Sequence, residues 1–353
     1  MFKNFLRVYM YIIVLILFSA CAPKSLEKVK IVIPPPPSEP KVFFEVSYRG
    51  DVSFSKRSAL DAFIGEEVSF SRKNLVKPYG VSALGDSIFI SDTAVAVVFD
   101  INERLREVSV IGDGSPGKLS LPVGIAIDND ANIYVSDSKQ ASIMVYDKNK
   151  NLINAFGGRL ELVKPAGISI NNKDKILYVV DTKAHNIKAY SLDGKMLFTF
   201  GKRGKAEGEF NFPTNIAIDR RNGNVVVVDT QNFRVQIFDK NGKFIRKFGK
   251  IGDKPGMFAR PKGVGVDSDG NIYVADSAFN NIQVFNENGE LLIFFGSSGK
   301  HIGQFSLIAG VYVDKYDRIY IVDGFNRRVQ IYQYMSEPWK KQNPKKYKEL
   351  KEI

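Results

Sequence analysis

Six aspartates, two histidines and several glycine-rich loops are the residues of this sequence with the means to do chemistry. Asp92, Asp137, Asp181, Asp229, Asp276 and Asp323 recur at spacings of 45, 44, 48, 47 and 47 residues. Carboxylates brought together could share general acid and base roles, or ligate a hard cation. Repetition argues otherwise, because an active site is needed once and a residue type that returns in every unit is scaffold. These aspartates are therefore expected to form turns, their carboxylates accepting backbone N–H groups at the start of the next connection.

Gly112-Asp113-Gly114-Ser115-Pro116-Gly117-Lys118 is close to a phosphate-binding loop, but Leu119 replaces the hydroxyl residue and Pro122 opens a strand where a helix is required. The segments that follow Gly201, Gly249 and Gly296 share the pattern Gly-x-x-Gly-x-x-x-Gly-x-Phe, which reads as a connection between structural units. His185 and His301 are the only histidines and Cys21 the only cysteine, so a three-histidine zinc site, a cysteine-based zinc site and an intramolecular disulfide are all excluded. No Ser-His-Asp arrangement stands out. No catalytic residue, metal ligand or cofactor is assigned, although a calcium site built from Asp, Asn and Glu of different repeats stays open.

The elements that position these residues are short strands. Each aspartate ends a β-branched or aromatic run such as residues 272–275. A strand ahead of it is opened by Pro78, Pro122, Pro165, Pro213 or Pro261, with Ile308 at the sixth position. Proline is tolerated there because no ladder donor is lost. A third strand follows each aspartate, and a fourth ends in aromatic-Gly, as at Phe200-Gly201 and Phe248-Gly249. Four strands at a period in the forties mark a propeller blade, and both faces of each strand are apolar because neighbouring blades cover them. The fold expected is an all-β, six-bladed β-propeller over residues 42–334, with blades beginning near residues 77, 121, 164, 212, 260 and 307. The sixth repeat lacks its fourth strand, which residues 42–48 could supply; residues 62–65 are the alternative, and residues 55–64 have helical spacing. The first blade's turn, counted from Asp92 to Phe99 against Asp137 to Tyr146, is expected to be two residues short.

Pro261-x-Gly263-Val264-x-Val266-Asp267, then residues 272–276 and Asn280-Asn281-Ile282-Gln283-Val284-Phe285, resemble the NHL repeat, as do residues 229–238. The resemblance covers residues 77–334 and implies the same propeller; that family holds enzymes, protein-binding modules and RNA-binding modules, so it does not imply one activity. Zinc-dependent lyases of the wider superfamily need more histidines than this chain has. A calcium-dependent lactonase-like site at the central channel is the enzymatic alternative.

Lys3 and Arg7 precede an apolar run over residues 8–18, too short to cross a membrane, and Phe18-Ser19-Ala20-Cys21 follows. The segment resembles a bacterial lipoprotein signal. That implies removal of residues 1–20, acylation of Cys21 and, with Ala22 next, an outer-membrane location in the cell envelope. Residues 21–41 hold Pro34 to Pro37 and Pro40 and are expected to be an extended spacer. The Lys-rich residues 335–353 are expected to be a solvated tail. The chain carries a net charge of +12, and removing the leader leaves about +10. Export makes nucleic acid an unfavoured partner for that charge and points to a protein or an anionic glycan. In a propeller the turn after strand two and the connection between blades open on one face. His185, Lys202, Arg203, Arg234, Arg260, Arg327 and Arg328 are the candidate partner-binding residues there, with Phe233 and Phe279 adding apolar area; packing between blades is the alternative for Arg234 and Arg328. The reading that results is a lipid-anchored binding or scaffold module.

Overall fold

The computed structural model describes residues 31–35, 37–54 and 73–352. Six antiparallel sheets form the blades. Blade four is representative, with strands Pro213–Ile218, Val225–Asp229, Arg234–Phe238 and Phe244–Phe248 in that order from the axis outward. The six first strands pack against one another around a central channel, Pro78–Leu84 of blade one meeting both Pro122–Ile127 of blade two and Ile308–Val313 of blade six. Each first strand keeps its opening residue in register with the aspartate, as Pro213 with Asp229, and a bulge follows. The glycine two residues after Pro122 has a structural reason. A Cβ on Gly124 would come within 2.4 Å of the Ala166 carbonyl oxygen of the next blade, so only glycine allows the blades to approach this closely.

Burial explains the near-continuous apolar strands. The core is divided between blade faces, as where Tyr134, Ile143 and Val145 of blade two meet Leu177, Val179 and Tyr190 of blade three. A fully buried Val or Leu side chain contributes about 1.5–3 kcal/mol, so a blade released from its neighbours would lose its reason to fold.

The ring closes as one of the two sequence alternatives has it. Strand β2 (Val42–Tyr48) pairs antiparallel with Arg328–Tyr334, from Val42 opposite Tyr334 to Tyr48 opposite Val329, and is the fourth strand of blade six. The competing strand at 62–65 and the helix at 55–64 lie outside the described residues, as does Cys21 with the leader.

Three expectations need correction. The first-blade turn is not short: Asp92 pairs with Val97 and Asp137 with Ser142, both five residues on, so Phe99 and Tyr146 are not equivalent positions. The proline-rich spacer is docked at residues 31–33. Strand β1 (Val32–Ile33) adds to β2, and Ile31 and Ile33 pack in the core between blades five and six. The C-terminal tail is not solvated either. Helices α1 (Glu337–Gln342) and α2 (Pro344–Lys351) fold back so that Met335, Trp339, Tyr347 and Leu350 cluster with Val32 and Phe43.

Candidate functional site

The repeated aspartates do structural work and more of it than their turns require. Asp137 is fully buried; one carboxylate oxygen accepts the N–H groups of Lys139 and Gln140, the other those of Ser120 and Leu121. Asp137 thus ties its own turn to the connection that enters its blade, satisfying donors that would otherwise be buried unpaired.

The connection face sorts the seven candidate residues into two groups. Arg234 and Arg328 are buried. Arg328 pairs with Asp323 at 2.7 Å and donates to the carbonyls of His301 and Gln304, and Arg234 pairs with Asp229 at 2.8 Å and donates to those of Lys205, Ala206 and Glu209. His185 is buried too, its Nδ1 accepting the Phe212 N–H at 3.1 Å with the ring edge-on to Phe212. These three hold the fold and are not available to a partner. Lys202, Arg203, Arg260 and Arg327 are exposed on the face as expected. Lys202 lies 3.4 Å from Glu209 with most of its side chain in solvent, a contact worth little. Phe233 and Phe279 are only half-buried contributors.

Sequence reasoning missed the apolar part of the face. Leu160, Val163, Phe212, Ile251, Leu307 and Phe325 are exposed on connections or on the turn after strand two, Leu160 fully so. Phe212 and Leu307 hold positive φ angles of 49° and 53°, an uncommon conformation for bulky residues. Their N–H groups are pinned by His185 and by Asn280 of the preceding blade. The signal was present in the sequence, since both replace the cation that Lys77, Lys164 and Arg260 place just before a first strand.

The channel is a cavity of about 290 Å³. Its wall is largely Val, Ile, Ala and Gly of the first strands with Tyr79, Tyr312, Asn215 and a few further Ser and Asn side chains, and no Asp or Glu among the described residues lines it. The buried acids at the far ends of the first strands turn away into local bonds: Asp267 accepts from Asn271 and from the Tyr273 hydroxyl at 2.9 Å. Burial pushes the Asp267 carboxyl up to about 6. At that same end Arg220 donates to the Val313 and Asp314 carbonyls, joining blade four to blade six. At the connection-face mouth Lys262 lies 5.9 Å from the centre of the Tyr79 ring. Burial, with Arg260 and Lys77 nearby, holds its amine below the usual lysine value.

Residues 210–238 and 258–285 match the NHL repeat model, the third strands of blades four and five included. The protein is a six-bladed propeller that carries NHL repeats. The NHL repeat-containing protein 2 of Homo sapiens is 35% identical over 102 residues, a match spanning 25% of this chain and 14% of that protein. Among solved structures, an auxiliary nutrient binding protein from Bacteroides thetaiotaomicron is similar with a TM-score of 0.58 and 14% identity, over 76% of this chain and 71% of that one. A gluconolactonase from Xanthomonas campestris is similar with a TM-score of 0.57 and 16% identity, over 74% and 86%. At such identities the likeness is one of fold, shared by propellers that bind and propellers that catalyse. Among the described residues the channel wall carries no carboxylate, the ligand on which a calcium site of lactonase type would draw.

Proposed function

We propose that this NHL propeller is a non-enzymatic binding module for an acidic protein, with an anionic glycan as the second partner class, held at the cell envelope by an acyl anchor on Cys21. The observation that carries the reading is the display of Leu160, Phe212, Ile251, Leu307 and Phe325 among Arg203, Arg260 and Arg327 on one face. Apolar centres ringed by arginine are the composition of energetic interface cores. Holding two of those apolar side chains at positive φ costs backbone strain, which points to use rather than packing. The location reading rests on the leader alone.

Capture from native membranes tests it. A specific partner should be recovered by the full chain and lost on Arg203→Glu with Phe325→Asp, while the thermal midpoint is unchanged. Equal recovery with the double variant would overturn the reading. Cys21→Ser should release the protein from the membrane fraction, and an unchanged fraction would refute the anchor.

A further inference from the structure

The residues that follow the six strand-opening positions are Tyr79, Val123, Ala166, Thr214, Lys262 and Ala309, and they stand at the connection-face end of the first strands. Only one of the six is charged. Lys262 belongs to blade five, yet its ammonium reaches the ring of Tyr79 in blade one, past the small Ala309 of the blade between them. No carboxylate among the described residues pairs with Lys262, Arg260 or Lys77, and the Tyr79 hydroxyl has no hydrogen-bond partner there. Lys262 is half-buried, so its charge is partly desolvated without compensation, an arrangement that costs stability unless something anionic visits.

Below this mouth the channel wall is mainly Val, Ile, Ala and Gly, with Ser82, Ser169, Asn171, Asn172 and Asn215 as its uncharged polar side chains and no carboxylate among the described residues. Asn215 accepts the Ile216 N–H through Oδ1, which leaves its amide nitrogen available in the wall. At the far end Lys173 and Arg220 are the charged lining groups. A cavity of about 290 Å³ falls at the lower edge of the range, roughly 300–1,000 Å³, in which small molecules are held. With Lys262 at one end, Lys173 and Arg220 at the other and no carboxylate among the described lining residues, the charge of the channel disfavours a cation. An anionic head on an apolar body matches the cationic ends and the aliphatic side chains between them.

We propose that the central channel binds a small organic anion, a carboxylate or phosphate on an apolar body, with Lys262 and Tyr79 holding the head group at the connection-face mouth. The mouth opens on the face assigned to a macromolecular partner, with Arg260 nearby, but that assignment makes no use of Lys262.

Isothermal titration of the full chain with octanoate, hexyl phosphate and octanol tests it. Saturable binding of octanoate or hexyl phosphate is expected, at least tenfold tighter than octanol; the tighter of the two anions names the head group. Lys262→Met keeps the length and removes the charge, and should weaken the anion about tenfold while the thermal midpoint holds or rises. Tyr79→Phe should weaken it less and serves as the second variant should Lys262→Met fold poorly. Arg203→Glu should leave titration unchanged, which keeps this result distinct from that of the partner face. Octanol binding as tightly as the anions, unaltered binding by both channel variants, or no heat with either anion to millimolar concentration would overturn the proposal.

Discussion

The connections entering blades four, five and six differ from those entering blades two and three. All five keep a positive-φ glycine against a buried apolar residue: Gly112 against Leu119, Gly157 against Leu162, and Gly201, Gly249 and Gly296 against Phe210, Phe258 and Phe305. The last three add a parallel bridge, such as Ser298 with Phe305, and a buried polar staple from the third strand of the blade they enter. Arg234 and Gln236 staple the first of them, Gln283 the second, Arg328 and Gln330 the third. From the third strand the first two connections receive only a tyrosine hydroxyl each among the described residues, Tyr146 to the Gly117 carbonyl and Tyr190 to Glu161 at 3.4 Å. The steric core of a connection is thus shared, while the polar staple is particular to the later blades. Matches to the NHL model fall on blades four and five, where staples are present. Leu160 and Val163 stand exposed on an unstapled connection.

Arg328→Met should give the largest effect. It strands the fully buried Asp323 carboxylate, and loss of one partner of a buried pair costs about 3–5 kcal/mol. Denaturant titration should show that loss, with partial recovery on adding Asp323→Asn. Gln283→Leu leaves the Gly256 N–H and the Met257 carbonyl unpaired and should cost about 1–3 kcal/mol. Tyr146→Phe, on the unstapled side, should cost only about 0.5–1.5 kcal/mol. Similar losses for Tyr146→Phe and Arg328→Met would erase the contrast.

A further effect is one of pH. Asp267 titrates near 6 when folded, above an ordinary value of 3.8, so the folded state binds its proton more tightly. Its contribution therefore favours the folded state as pH falls from 7 towards 4, at about 1.4 kcal/mol for each pH unit between the two values. Asp267→Asn should narrow the stability difference between pH 5 and pH 7, and an unchanged difference would remove this group from the account.

The ring was legible because a blade cannot hide its period: proline, aspartate and aromatic-glycine recur where the backbone needs them. The candidate face was half legible. Arginine is rarely buried, so Arg234 and Arg328 stand first as surface cations in the sequence and only second as packing between blades. Each is nonetheless the register partner of a repeated aspartate, Asp229 with Arg234 and Asp323 with Arg328, five residues apart across one turn. That spacing could have told a staple from a surface cation. The exposed Phe212 and Leu307 were hidden by the opposite bias, since large apolar residues beside a strand pass for core. Helices α1 and α2 are short and Lys-rich, and their stability comes from docking on Phe43 and Val32, which local sequence does not express.

The docking of Trp339 has a further consequence. It is the only tryptophan, and its ring lies 5.4 Å from that of Phe43 on the strand that shuts the propeller. The molecule therefore carries a built-in optical gauge on its own latch. Emission from Trp339 follows the latch, whereas far-ultraviolet dichroism follows all six sheets. Heating that reddened the emission before the dichroism moved would catch a ring that unlatches before it melts, and coincident curves would mark a circle that fails all at once.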